Sequence, residues 1–117
     1  MADIMSCPAK GMSEFLDIVR QNAEQRIVFS SHALDEMNAP DEMISTEEIK
    51  EVVFNGFMIE DYPHDRRGHS VLLGGKTSSC RVVHVVCAPK EEYLAIITAY
   101  VPSLEKWEAG LMKRRER

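Results

Sequence analysis

Between Phe57 and Pro102 the chain carries four apolar, strand-like segments in quick succession: F-M-I-E-D-Y-P, H-S-V-L-L-G, R-V-V-H-V-V-C-A and Y-L-A-I-I-T-A-Y-V-P. Turn signals separate them at positions 63–68, 74–79 and 88–92. Parallel neighbours need crossovers of a dozen or more residues, so connections this short predict an antiparallel meander. The third and fourth segments are apolar on both parities, which predicts central strands covered on both faces at least in part. Polar residues fall in unusual places within them. His84 stands between two valine pairs, and Thr98 and Tyr100 interrupt the apolar run of the last segment. Such residues either satisfy hydrogen bonds inside a sheet or line a working surface of it.

The segments before the meander read as helical. Met12, Phe15, Leu16, Val19 and Ala23 recur at the spacing of one helix face, with Asp17, Arg20 and Glu24 left outside. Arg26–Ser30 is short and rich in β-formers, so a brief strand is expected there. A short helix follows, from Ser31 as N-cap to about Met37, and Pro40 breaks it by biasing Ala39 away from helical dihedrals. The best-specified helix comes next. Ser45 and Glu48 make a capping box, Ile44 and Ile49 a hydrophobic staple, and Ile49, Val52 and Val53 a buried stripe. Asn55-Gly56 supplies the stop, with Gly56 expected in the left-handed region. Leu104, Trp107 and Leu111 are spaced for a last helix.

The expected architecture is therefore α+β: N-terminal helices packed on a four-stranded antiparallel meander, with a short C-terminal helix. Residues 1–11 read as a flexible arm and 12–117 as a single domain, since 117 residues leave little room for a second. A composition of 44% hydrophobic and 28% charged residues suits a soluble globular chain.

Charge is unevenly spread. Residues 1–62 hold 4 Lys/Arg against 13 Asp/Glu, a net of −9, while 63–117 hold 10 against 6, a net of +4. The overall −5 argues against a nucleic-acid binder, yet the second half by itself could meet an anion. The same asymmetry also describes an acidic helical layer on a mildly basic sheet. Three cysteines (Cys7, Cys80, Cys87) form no C-x-x-C pair and leave one odd, so disulfides are not expected and a reducing compartment is. The N-terminus has no basic and apolar leader pattern, and no apolar run nears the about 20 residues that span a bilayer. A soluble, cytoplasmic protein without membrane partners is expected.

Several groups could carry chemistry. His32 has Asp35 and Glu36 at i+3 and i+4, and a carboxylate beside an imidazole fixes its tautomer and raises its basicity. The bland alternative is a surface pair near a helix start. His64 and His69 flank Asp65-Arg66-Arg67-Gly68, a spacing that implies no third metal ligand, so no metal is expected. Arg66 and Arg67 suit a phosphate clamp, or else a solvated turn. Cys80 and Cys87 look like small strand residues, and Gly74-Gly75 is a turn without a following helix, so no nucleotide-binding loop or cofactor is expected. If the faces holding His84 and those holding Thr98 and Tyr100 coincide, an imidazole, a hydroxyl and a phenol converge. Metal-free RNA cleavage needs such groups: a base, an acid, and cations of the kind Arg66, Arg67 and Arg81 offer. Otherwise His84 and Tyr100 are buried residues with one hydrogen bond each.

In their order and spacing, S-S-H-A-L-D-E-M (30–37), I-K-E-V-V-F-N-G-F-M-I-E-D-Y-P (49–63), V-V-H-V-V (82–86), I-I-T-A-Y-V-P (96–102) and Trp107 resemble the bacterial domain-of-unknown-function family 4258. That family is similar in layout to the RelE/BrnT-type toxins, small α+β proteins that cut messenger RNA and are neutralised by an antitoxin. The resemblance implies a RelE-like sheet whose open face takes RNA or an antitoxin-like protein, with His32, His84 and Tyr100 as motif positions. Here the chain departs from the H-A-x-x-R-M pattern, since Glu36 stands in place of the arginine. From the residues and the resemblance together, catalytic roles are expected for His32, His84 and Tyr100, and RNA contacts for Arg66, Arg67 and Arg81. A non-catalytic module that docks a protein on the sheet face or edge is the alternative.

Overall fold

The computed structural model describes residues 10–103, which form three helices and a five-stranded sheet. In chain order they are α1 (Lys10–Gln25), β1 (Ile27–Phe29), α2 (Ser31–Met37), α3 (Thr46–Asn55), β2 (Phe57–Tyr62), β3 (Ser70–Lys76), β4 (Val82–Pro89) and β5 (Leu94–Tyr100). The sheet order is β1-β5-β4-β3-β2. Strands β2 to β5 are the antiparallel meander that short turns predict. The sheet is nevertheless mixed and five-stranded, because β1 joins the far side of β5 in parallel. Turn lengths govern neighbours in sequence and say nothing about so distant a pairing. Of the expected arm, residues 1–9 lie outside the described residues, and Lys10 and Gly11 already belong to α1. The expected C-terminal helix lies outside them too.

One face of the sheet packs against the helices. Val71, Leu73, Val83, Val85, Cys87, Leu94, Ile96 and Ala99 meet Val19, Ala23, Ile49, Val52 and Val53, with Ala33 and Met37 from α2 joining the same core. The alternation along β5 breaks between Ile96 and Ala99. Val86 pairs with Thr98 and Cys87 with Ile96, so Ile97 is an extra, bulged residue. A slip of one residue exchanges the faces of everything beyond it. Without the bulge, Thr98 and Tyr100 would share the face of Leu94 and Ile96 and point at the helices. With it, they lie on the opposite face, across from Val86 and His84.

Helix α3 starts as expected, with both capping-box bonds at 3.1 Å and Ile44 and Ile49 buried. Its end differs. Gly56 is extended (φ −84°, ψ −174°) rather than left-handed. Glycine is needed there for close approach, since a Cβ would stand 2.6 Å from the Val52 carbonyl oxygen and 2.7 Å from that of Gly74. Gly74 and Gly75 accordingly lie inside β3, not in a turn. Cys80, expected in a strand, sits in the β3–β4 turn at φ 64°, while Cys87 is in β4. The N-cap of α2 is Ser30 instead of Ser31. Its hydroxyl accepts from Ala33 N at 3.0 Å and donates to the Ile97 carbonyl at 2.9 Å, so capping and docking on β5 use the same oxygen.

Candidate functional site

Beyond Ile96, β5 has no β1 residue opposite it, and α2 packs alongside. Ala33 and Met37 of α2 enter the core, while His32 stays outside with its side chain 66% exposed. Glu36, one turn on, sets one carboxylate oxygen 3.3 Å from His32 Nε2 and accepts the Thr98 hydroxyl with the other. The local i, i+4 pairing expected from sequence is thus tied to a strand 62 residues away.

The turn between β2 and β3 approaches from the other side. Asp65 accepts from Arg67 Nε and Nη2 at 3.0 and 2.9 Å, from Arg67 N at 2.9 Å and from the Ser70 hydroxyl at 2.7 Å. The Arg67 guanidinium, then its N–H and the Ser70 hydroxyl, hold the Asp65 carboxyl well below the usual carboxylate range. The same pairing raises the pKa of Arg67. Gly68, at φ +104°, turns the chain, and Lys90 donates to the Arg67 carbonyl.

Between these elements lies a cavity of about 470 Å³, lined by His32, Tyr62, Asp65, Arg67, Val86, Ile97 and Thr98. It joins an imidazole, a phenol, a hydroxyl and a paired carboxylate and guanidinium over two apolar side chains. Tyr62 donates its hydroxyl to Glu60. One residue pair further along the same sheet face, about 7 Å by strand geometry, His84 and Tyr100 face each other. Nδ1 of His84 is 3.3 Å from the Tyr100 phenolic oxygen, and the rings meet edge to face with centroids 5.3 Å apart. His84 is 0% exposed, so it reaches a ligand only through neighbours such as Tyr100.

The six residues singled out from sequence therefore divide. His32 and Arg67 line one cavity. His84 and Tyr100 form a pair on the same face, beside it but not lining it. Arg66 is exposed in the β2–β3 turn. Arg81 stands elsewhere, with its guanidinium on Glu48 and the Met43 carbonyl. The two turn histidines are also separate. His69 lies 2.6 Å from Asp61 and stacks on Phe15, whereas His64 is exposed. Among the described residues, no three His, Cys, Asp or Glu are grouped to hold a metal ion, and no helix is long and apolar enough to cross a membrane.

Sequence reasoning missed Tyr62, Asp65, Val86 and Ile97 as cavity residues. Asp65 opens a D-R-R-G turn, a position where Asp commonly bonds its own backbone two residues on, and that signal was readable. The others carry none, because the cavity exists only where α2 meets the bulged strand.

Residues 29–101 match the model of a family described as Domain of unknown function (DUF4258). The chain belongs to that family. The matched span of this DUF4258 chain runs from the end of β1 to just past β5, so it contains every cavity-lining residue. No curated protein and no solved structure matches the chain.

Proposed function

We propose that the cavity beside α2 is a phosphodiester site and that the chain is a metal-independent endoribonuclease of the RelE/BrnT toxin kind, restrained by an antitoxin-like partner. The supporting observation is the convergence of His32, with its carboxylate partner Glu36, and Arg67 on one cavity from opposite sides. In this reading His32 takes the proton of a ribose 2′-hydroxyl. The 2′-oxygen attacks phosphorus, the bond to the 5′-oxygen breaks, and a 2′,3′-cyclic phosphate and a 5′-hydroxyl remain. Arg67, with Arg66 in the same turn, offsets the charge that develops on the phosphoryl oxygens. Tyr100, backed by His84, supplies the proton to the leaving oxygen. Arg81, committed to Glu48, takes no part. The net charge of +4 over residues 63–117 of the sequence favours attraction to the RNA backbone.

The test is incubation of purified protein with single-stranded RNA at low salt in the presence of a chelator. Cleavage to cyclic-phosphate ends is expected, lost in His32→Ala and strongly reduced in Tyr100→Phe. Wild type and both variants leaving RNA equally intact, with no growth arrest on expression, would sink the reading.

One observation favours the alternative, a non-catalytic protein-binding module. Phe57 begins edge strand β2 with 68% of its surface exposed. Under that reading the chain is inert towards RNA, and Phe57→Ser weakens binding of the protein encoded in the adjacent reading frame.

A further inference from the structure

Glu36 touches two groups that matter to the cavity and lines none of it. Its Oε2 is 3.3 Å from His32 Nε2, and its Oε1 accepts the hydroxyl of Thr98, which is itself a cavity residue. The first contact spans one helical turn. The second crosses from α2 to β5 and depends on the Ile97 bulge, which turns Thr98 off the helix-packed face. Ser30 fixes the geometry between the two elements, with its N–H on the Ile96 carbonyl at 3.0 Å and its hydroxyl on the Ile97 carbonyl at 2.9 Å.

A histidine that is 66% exposed on a seven-residue helix would ordinarily sample several side-chain rotamers. We infer that Glu36, clamped by Thr98, is a positioning residue that holds His32 in one rotamer, with Nε2 towards α2's own carboxylate and Nδ1 left for the cavity. Glu36 pairs with His32 on α2, where Asp35 is its neighbour in sequence, and Tyr62, Asp65 and Arg67 line the same cavity. Asp65 is already engaged by Arg67 and Ser70, so Glu36 is the carboxylate that meets the imidazole. When Nδ1 takes a proton from a bound hydroxyl, the positive ring stays against Glu36, and no proton needs to move to the carboxylate. The catalytic consequence rests on the phosphodiester reading above, whereas the positioning itself does not.

Two measurements separate the claims. Three-bond couplings of labelled protein report the χ1 rotamers of His32, and the amide shifts of Ala33 and Met37 report whether α2 stays docked. One dominant rotamer is expected in the wild type and in Thr98→Ser, and averaging in Glu36→Ala and Thr98→Val with α2 still docked. An averaged wild type, or couplings that neither substitution moves, overturns the inference. In the cleavage assay Glu36→Ala should lower kcat by roughly tenfold or more with KM changed by less than about twofold, and Thr98→Ser should restore what Thr98→Val loses. If the wild type cuts no RNA, the cleavage reading fails while the couplings still decide the role of Glu36.

Discussion

Arg81 grips Glu48 through two hydrogen bonds, Nε to Oε2 at 2.9 Å and Nη2 to Oε1 at 2.8 Å. The pair fastens the entry of β4 to the first turn of α3. Glu48 is also half of the capping box and accepts from the Thr77 hydroxyl at 2.9 Å, so one carboxylate joins helix, turn and strand. With its side chain only 5% exposed, it needs all of these partners.

Arg81→Ala should therefore destabilise the fold by about 2 kcal/mol. That is less than the roughly 3–5 kcal/mol of a fully buried pair, because Arg81 keeps solvent contact. Urea unfolding measures the loss, and any RNA cleavage per folded molecule should be unchanged.

The same carboxylate predicts acid sensitivity. Hydrogen bonds from Arg81 above all, with those from Ser45 and Thr77, outweigh burial and lower its pKa from 4.5 to about 2. Below 4.5 the unfolded chain takes up the proton while the folded chain resists it, so stability falls as pH drops from 4.5 towards 2. The contribution is about 3 kcal/mol, fully present above that window. Denaturation at a series of pH values should show this slope in the wild type and a shallower one in Glu48→Gln. Asp65, lowered in the same direction by Arg67, leaves a residual slope.

Gly56→Ala should cost about 2–3 kcal/mol, because both atoms its Cβ would strike are backbone oxygens that cannot step aside. Gly75→Ala, whose nearest neighbour would be Gly56 Cα at 3.3 Å, should cost about 1 kcal/mol. Thermal melts of the two variants test the order.

The cysteines should differ in reactivity. Burial pushes the Cys87 thiol up to about 12, whereas Cys80 is exposed in its turn. Alkylation near pH 8 followed by peptide mapping should label Cys80 in the folded protein and Cys87 only after unfolding. Comparable rates at both positions would contradict the burial of β4.

Much of this architecture was legible in the chain. The Ser45–Glu48 box and the Ile49, Val52, Val53 stripe mark α3 because capping and amphipathicity are local, written within a few residues of one another. The meander was readable for the same reason, since its turns are short. The partner of β1 was not, because nothing local specifies a strand 67 residues on, as from Ile27 to Leu94. Glycine is ambiguous at Gly56, which is extended, and at Gly74-Gly75, which lie inside β3. The sequence shows that a side chain is missing, but not whether the reason is a left-handed turn or a neighbouring backbone.

The polar residues set among the valines and isoleucines of the last two strands show where that division falls. Sequence by itself determined that His84, Thr98 and Tyr100 lie on adjacent antiparallel strands and that His32 has a carboxylate one helical turn away. Only the tertiary structure decided which way they point. One bulged residue, Ile97, exchanges the faces of β5 and sets Thr98 and Tyr100 opposite Val86 and His84. The docking of α2 then brings Glu36 to Thr98 and His32 to the cavity shared with Arg67. Strand periodicity is a property of the chain, but a bulge is settled by what packs on either side of the sheet.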